Sequence, residues 1–86
     1  MQYGSNQHIA QSWHNGFPMH SKNMSTDGRD LFSYGLRIGY TSGGHKIVID
    51  YTKEGGMYKS MTTSHHVGIA KKYAIKVVKP KEIGRY

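Results

Sequence analysis

The sequence contains no cysteine, few acidic residues and no long apolar run. Without cysteine, neither a disulfide framework nor a cysteine-based zinc site can form, which fits a reducing compartment. No apolar run approaches the roughly 20 residues that span a bilayer. The first residues also lack the basic and then apolar layout of a signal peptide. We therefore expect a soluble protein of the cytoplasm that does not associate with membranes.

The charge of the chain is strongly positive and unevenly distributed. Its 86 residues, enough for one domain, include 12 Lys/Arg against 5 Asp/Glu, for a net charge of +7. Residues 71–85 carry six basic residues and one acidic residue, whereas the first 70 residues carry six and four. Such a charge favours an anionic partner, either nucleic acid or an acidic protein surface, unless it serves solubility alone.

The N-terminal segment is predicted to form a short helix over about residues 5–15. Ser5 or Asn6 can cap this helix, and Gly16 can end it in the left-handed conformation. A narrow apolar face of this kind is suited to lie on a sheet. That face consists of Ile9, Ala10 and Trp13.

Residues 22–63 show the pattern of short antiparallel strands. An Asp27-Gly28 turn separates the runs 24–26 and 31–34, and Gly35 is expected to bend or bulge the chain. A further turn at residues 54–56 would lead into a strand over 57–62. Two registers are open for that strand, which pair either Ile49 with Met61 or Tyr51 with Tyr58.

The segment 36–51 is predicted to form a hairpin around a two-residue Gly43-Gly44 turn. Apolar residues alternate on both sides of the turn, so that every apolar residue of one strand meets an apolar residue of the other. The expected pairs are Tyr40 with Ile47, Ile38 with Ile49, and Leu36 with Tyr51.

Residues 64–79 are predicted to form an amphipathic helix that Ser64 caps and Pro80 ends. At about 100° per residue, apolar residues from Val67 to Val78 fall on one arc and lysines on the other. The helix dipole favours cations near the C-terminal end. The remaining residues, 80–86, are expected to form a basic tail.

This order of elements predicts a single α+β domain over residues 1–86. About five short, glycine-bent strands between two helices suggest a small, strongly bent antiparallel sheet or barrel of the SH3-like or Sm-like type. An open sheet with both helices on one face is the alternative. Strands 24–26 and 57–62 would be sheet edges that can pair between subunits, so we expect a homo-oligomer.

Two adjacent histidines, His65 and His66, follow the hydroxyl residues 62–64. Neighbouring helix residues point about 100° apart and rarely bind one metal ion together. The spacing suggests neither a Ser–His–acid set nor a carboxylate pair. We therefore expect no metal, cofactor or catalytic residue, and two histidines in an exposed first helical turn. Free N–H groups at a helix start leave anion binding as the alternative.

Three short motifs stand out in the chain: Ala10-x-x-Trp13, Gly28-x-x-Leu31-Phe32-Ser33-Tyr34-Gly35, and Thr62-Thr63-Ser64-x-His66 with Ala70. Together they resemble a family of small proteins of tailed phages and marine viruses to which no activity is assigned. The family often has a histidine where this chain has Arg37. The resemblance implies a viral origin and the cytoplasm of a host cell. It favours nucleic-acid handling or binding to host proteins over metabolic catalysis.

The charge distribution predicts a non-enzymatic module that binds RNA or DNA through its C-terminal helix and tail. The alternative is a protein-interaction module that docks on an acidic host or viral protein. The residues predicted to contact phosphates are Lys71, Lys72, Lys76, Lys79, Lys81 and Arg85.

Overall fold

A computed structural model describes residues 6–52 and 59–80 and shows an α+β fold. The elements in chain order are α1 (Asn6–Asn15), β1 (Met19–His20), β2 (Met24–Thr26), β3 (Leu31–Ser33), β4 (Leu36–Ser42), β5 (His45–Ile49), α2 (Met61–Lys71) and β6 (Lys76–Val78).

The six strands of the described residues form one open sheet in the order β1-β2-β3-β4-β5-β6. The first four pairings are antiparallel, whereas β5 and β6 are parallel. The predicted barrel is therefore wrong, because β1 and β6 lie at opposite edges of the sheet. The strand at residues 24–26 was expected at an edge, but β2 lies between β1 and β3.

The predicted N-terminal helix is confirmed as α1, and Gly16 follows it with a φ of +86°. Its three apolar residues are buried, and the Trp13 indole donates a hydrogen bond from Nε1 to the Arg29 carbonyl at 2.9 Å. A Cβ at Gly39 of β4 would lie 2.8 Å from Trp13 Cζ2. The absent side chain at Gly39 thus makes room for the indole against the sheet.

The predicted hairpin around Gly43-Gly44 is confirmed, and both glycines have positive φ, as a two-residue hairpin turn of this kind requires. Tyr40 pairs with Ile47 as expected. The strict alternation of β4 is wrong, because the pairing with β3 shifts register and leaves Ile38 as an extra residue. Ile38 and Gly39 are consecutive and both buried, which a bulge allows and a regular strand does not.

The bend expected at Gly35 is a tight turn between β3 and β4. Ser33 pairs with Leu36, and the two residues between them, Tyr34 and Gly35, have φ of +52° and +88°. A non-glycine residue at positive φ is uncommon. The turn leaves the Tyr34 ring 61 % exposed.

The C-terminal helix is shorter than predicted and begins earlier. Ser60 caps it by accepting a hydrogen bond on Oγ from the Thr63 N–H at 3.1 Å, and the helix ends at Lys71. Ser64 therefore lies inside α2 and is not its cap. Residues 76–78, predicted as helix, form strand β6 beside β5. Parallel neighbours need a long crossover connection, and α2 lies within that connection.

Within residues 6–52 and 59–80, the two helices and the sheet share one hydrophobic core. Helix α1 packs on β1, β2 and α2, while α2 also packs on β5. The large buried side chains at the centre are Ile9, Trp13, Met24, Leu31, Ile38, Ile49 and Val67.

The strand predicted over residues 57–62 is wrong at its end, because Met61 and Thr62 belong to α2. Met61 therefore cannot pair with Ile49 in a sheet. Residues 57 and 58, the turn at 54–56, the pairing of Tyr51 with Tyr58, and tail residues 81–86 lie outside the described residues. No helix in the described part of the chain is both long and apolar enough to cross a membrane.

Candidate functional site

Two sequence motifs meet in a buried polar cluster formed by Ser33, Thr63 and His66. Ser33 Oγ lies 2.7 Å from His66 Nδ1 and 3.2 Å from Thr63 Oγ1. Ser33 stands at the end of β3, whereas the other two residues lie one turn apart on α2. The cluster therefore joins the sheet to the helix through hydrogen bonds inside the core.

His66 is almost fully buried, which corrects the prediction of two exposed histidines. Its exposed fraction is 1 %, whereas His65 is exposed. Burial lowers the pKa of His66, and the neighbouring His65 lowers it further. His66 Nε2 has no hydrogen-bond partner among residues 6–52 and 59–80. The Tyr34 ring lies near the imidazole, with 5.9 Å between centroids.

The cluster is placed to hold structure rather than to react. Ser33 has no exposed surface, so no substrate reaches its hydroxyl in this conformation. No group of three or more His, Asp or Glu side chains that could hold a metal ion occurs in the described part. A neutral His66 bridging β3 and α2 is therefore the role that the geometry supports.

The anion-binding alternative at His65 and His66 rested on their position at a helix start. Helix α2 begins at Met61, so both histidines lie in its second turn. The Ser64 N–H donates to the Ser60 carbonyl at 2.9 Å. The backbone N–H groups near the histidines are inside the helix and are not the free groups on which that alternative depends.

A cleft opens where the end of α2, the β4–β5 turn and the end of α1 come together. It has a volume of about 380 Å³, within the usual size range of small-ligand sites. We call it the crossover cleft. The side chains that line it include His14, His45, Lys46, Lys72, Tyr73 and Ile75.

The lining of the crossover cleft contains an aromatic pair, His14 and Tyr73. Their ring centroids are 5.9 Å apart and the planes are tilted by 46°. His14 Nδ1 lies 3.1 Å from the Tyr73 carbonyl. Because a carbonyl only accepts, Nδ1 carries the proton. In the neutral imidazole, Nε2 is then an acceptor that remains for a second partner.

Lys46 lines the crossover cleft, but its ammonium is engaged elsewhere. Nζ donates to the Gly28 carbonyl and to Thr41 Oγ1, each at 2.8 Å, and lies 5.8 Å from the centre of the Trp13 ring. Burial lowers the pKa of Lys46, and the nearby Arg29 charge lowers it further. Lys46 therefore stabilises the structure around Trp13, and Lys72 supplies the charge in the cleft lining that is available to a ligand.

The predicted lysines do not form one face of a single helix. Lys71 ends α2, and its Nζ lies 3.7 Å from Asp50 Oδ1. Lys72 follows the helix and is exposed, while Lys76 is exposed on β6. Lys79 comes after β6 and is also exposed. Lys81 and Arg85 lie outside the described residues.

Acidic residues are absent from the crossover cleft within the described part of the chain. The acidic residues of the described part are Asp27, Asp30 and Asp50, and none of them lines the cleft. Asp27 accepts hydrogen bonds from the N–H groups of Asp30 and Arg29, which lower the pKa of its carboxyl group. Asp50 is buried and accepts from Thr52. These carboxylates thus stabilise local structure, and the charge of the cleft lining remains positive.

Sequence reasoning missed His14, His45 and Tyr73 as site residues. Tyr73 was placed on the apolar arc of a long helix, and the two histidines are far apart in sequence. His45 directly follows the predicted Gly43-Gly44 turn, but nothing local indicates that α2 returns to this turn. The parallel pairing of β6 with β5 and the packing of α1 on α2 together bring these groups to one place.

No family model, curated protein or solved structure matches this chain significantly.

Proposed function

We propose that the protein is a non-enzymatic nucleic-acid-binding module whose phosphate contacts centre on Lys72 and Lys76. The observation that carries the proposal is the setting of these two lysines. Both are exposed, and neither has an ion-pair partner among residues 6–52 and 59–80. Lys72 lies in the lining of the crossover cleft, and Lys76, four positions later in the chain, begins β6.

The surrounding charges favour the same proposal. The net charge of +7 attracts a polyanion over a distance, and the cleft presents no carboxylate from the described residues. Lys71 contributes less, because Asp50 compensates part of its charge. Phosphate contacts of this kind supply affinity without reading sequence.

The proposal is tested with the double variant Lys72→Gln/Lys76→Gln. Its matched control is Lys22→Gln/Lys59→Gln, which removes the same charge from exposed positions elsewhere. Binding to labelled single-stranded and duplex oligonucleotides is measured by fluorescence anisotropy over a range of salt concentrations. Each lost phosphate contact should flatten the slope of log K against log salt by about 0.7 for a single strand and about 0.9 for a duplex. A test variant that binds like the control would contradict the assignment.

A second function, docking on an acidic protein, is favoured by one further observation. The edge strand β6 carries Val77, 42 % exposed, and Ile75 just before it is 68 % exposed. An exposed sheet edge with apolar side chains can accept a strand from a partner or from a second copy of the chain. Binding that persists at high salt and is weakened by Val77→Thr would favour this function. Nucleic-acid binding should instead weaken steeply with salt.

A further inference from the structure

We propose that the crossover cleft binds an unpaired base, so that the protein prefers single-stranded nucleic acid to duplex. This inference rests on the proposed nucleic-acid function and names the ligand class of the same site. It starts from the aromatic pair His14 and Tyr73, which lies beside the exposed charge of Lys72. A planar aromatic surface next to a cation is the combination that single-strand binding sites use.

Both residues of the aromatic pair reach the surface, since His14 is exposed and Tyr73 is half-buried. A tilt of 46° between His14 and Tyr73 means that the rings do not stack face to face on each other. Tyr73 is half-buried and held by the hydrogen bond from its N–H to the Ala70 carbonyl at 2.9 Å. A half-buried ring on a fixed backbone loses little freedom when a base stacks on it.

The walls of the crossover cleft suit a flat, partly apolar ligand. Ile75 presents an apolar side chain that is 68 % exposed and outside the core. A Cβ at Gly44 would meet no atom within 4 Å, so this part of the wall is open. His14 and His45 supply ring nitrogens for the polar edge of a base.

The proposed ligand must be an unpaired base because a duplex hides base faces inside the stack. A base reaches a stacking platform only from a single strand or after it is flipped out. Lys72 in the lining and Lys76 on β6 are placed to hold the phosphates on either side of such a base. Binding of a base thus gives the aromatic pair a role, whereas phosphate contacts alone do not require aromatic rings.

Three probes of equal length test the inference with the unmodified chain. They are a pyrimidine single strand, an abasic single strand with the same phosphates, and a duplex. At fixed salt, the base-bearing strand should bind about 5- to 150-fold more tightly than the abasic strand, the effect of about one stacked base. Equal affinity for the two strands, or tighter binding to the duplex, would overturn the inference. Salt-dependent binding of the abasic strand would still support the phosphate contacts, whereas no binding of any probe would refute both proposals.

A variant pair locates the effect. Tyr73→Leu keeps an apolar side chain but removes the ring, and Phe17→Leu does the same at an exposed aromatic residue outside the cleft. Tyr73→Leu should lose most of the preference for the base-bearing strand, with abasic binding unchanged. A full preference in Tyr73→Leu would place the base elsewhere and refute the site. Should this variant fail to fold, the comparison of strands on the unmodified chain still decides the inference.

Discussion

Removing the hydroxyl of Ser33 should destabilise the protein through the histidine that it leaves behind. Ser33→Ala removes the partner that lies 2.7 Å from His66 Nδ1. His66 is 1 % exposed, so water cannot replace the lost hydrogen bond without a rearrangement. A buried polar group left unsatisfied costs about 1–3 kcal/mol. For a domain of this size, each kcal/mol corresponds to a melting temperature lower by about 4–8 °C.

A second substitution separates the hydrogen bond from simple packing. Replacing both partners by apolar groups can be nearly neutral, because no polar group then remains unsatisfied. The double variant Ser33→Ala/His66→Leu should therefore recover part of the stability that Ser33→Ala loses. Ser25→Ala is the matched control, since Ser25 is half-buried in the neighbouring strand β2. The reasoning is refuted if the losses of unfolding free energy of the two single variants simply add in the double variant. It is also refuted if Ser33→Ala loses no more than the control.

The same histidine should make stability depend on pH. The folded pKa of His66 is lowered by burial, whereas the unfolded chain takes up a proton near the ordinary value of about 6.5. The unfolded state thus binds more protons as pH falls, so the stability present above about pH 6.5 is lost towards the lower folded pKa. One proton limits the slope to about 1.4 kcal/mol per pH unit. Denaturant unfolding between neutral and acidic pH should show a steeper loss for the parent than for His66→Gln. His20→Gln, which changes an exposed histidine of β1, should behave like the parent, and equal slopes in all three would exclude a role for His66.

Two further predictions concern glycine and the helix cap, and both are measured by denaturant unfolding. Gly39→Ala should cost about 1–3 kcal/mol, because its Cβ would lie 2.8 Å from Trp13 Cζ2 and 3.2 Å from Leu31 Cβ. Gly68→Ala, in α2 with open space at its Cβ, should instead gain about 0.5–1 kcal/mol, and the reverse order would contradict this packing. Ser60→Ala should cost about 0.5–2 kcal/mol by removing the cap, and an equal cost for Ser64→Ala would argue against a helix that starts at Met61.

The elements fixed by local chemistry were predictable from the sequence. The apolar spacing and the end signal of α1 are both local, since Ile9, Ala10 and Trp13 share its buried face and Gly16 follows it with positive φ. The β4–β5 hairpin was predictable for the same reason, since Gly43 and Gly44 permit the positive φ that the turn requires. The bulge at Ile38 was not predictable in this way, since it lies beside Gly39, which packs against the indole of Trp13. That contact joins residues far apart in sequence.

The C-terminal half could not be predicted from its apolar pattern, because that pattern fits both a helix and a strand. Ala74, Val77 and Val78 fit the continuation of a helix, yet β-branched residues also favour strands. The segment forms a strand and not a helix because it pairs with β5, whose outer edge would otherwise stay unpaired in the described sheet. The buried stripe Thr63, His66, Val67 and Ala70 has helical spacing. If His66 is counted as a core residue, this stripe predicts an earlier helix start and a buried His66.

The crossover topology explains why the candidate site lies where it does. Strand β5 runs from His45 to Ile49, and α2 then carries the chain back so that β6 can run in the same direction. The start of β5, the end of α2 and the start of β6 must therefore meet at one end of the sheet. Lys72 and Lys76 are gathered at this corner by the return of the chain, and not by the face of a helix. Lys79 follows three residues of extended strand, about 10 Å further along, and so belongs to the opposite end of β6.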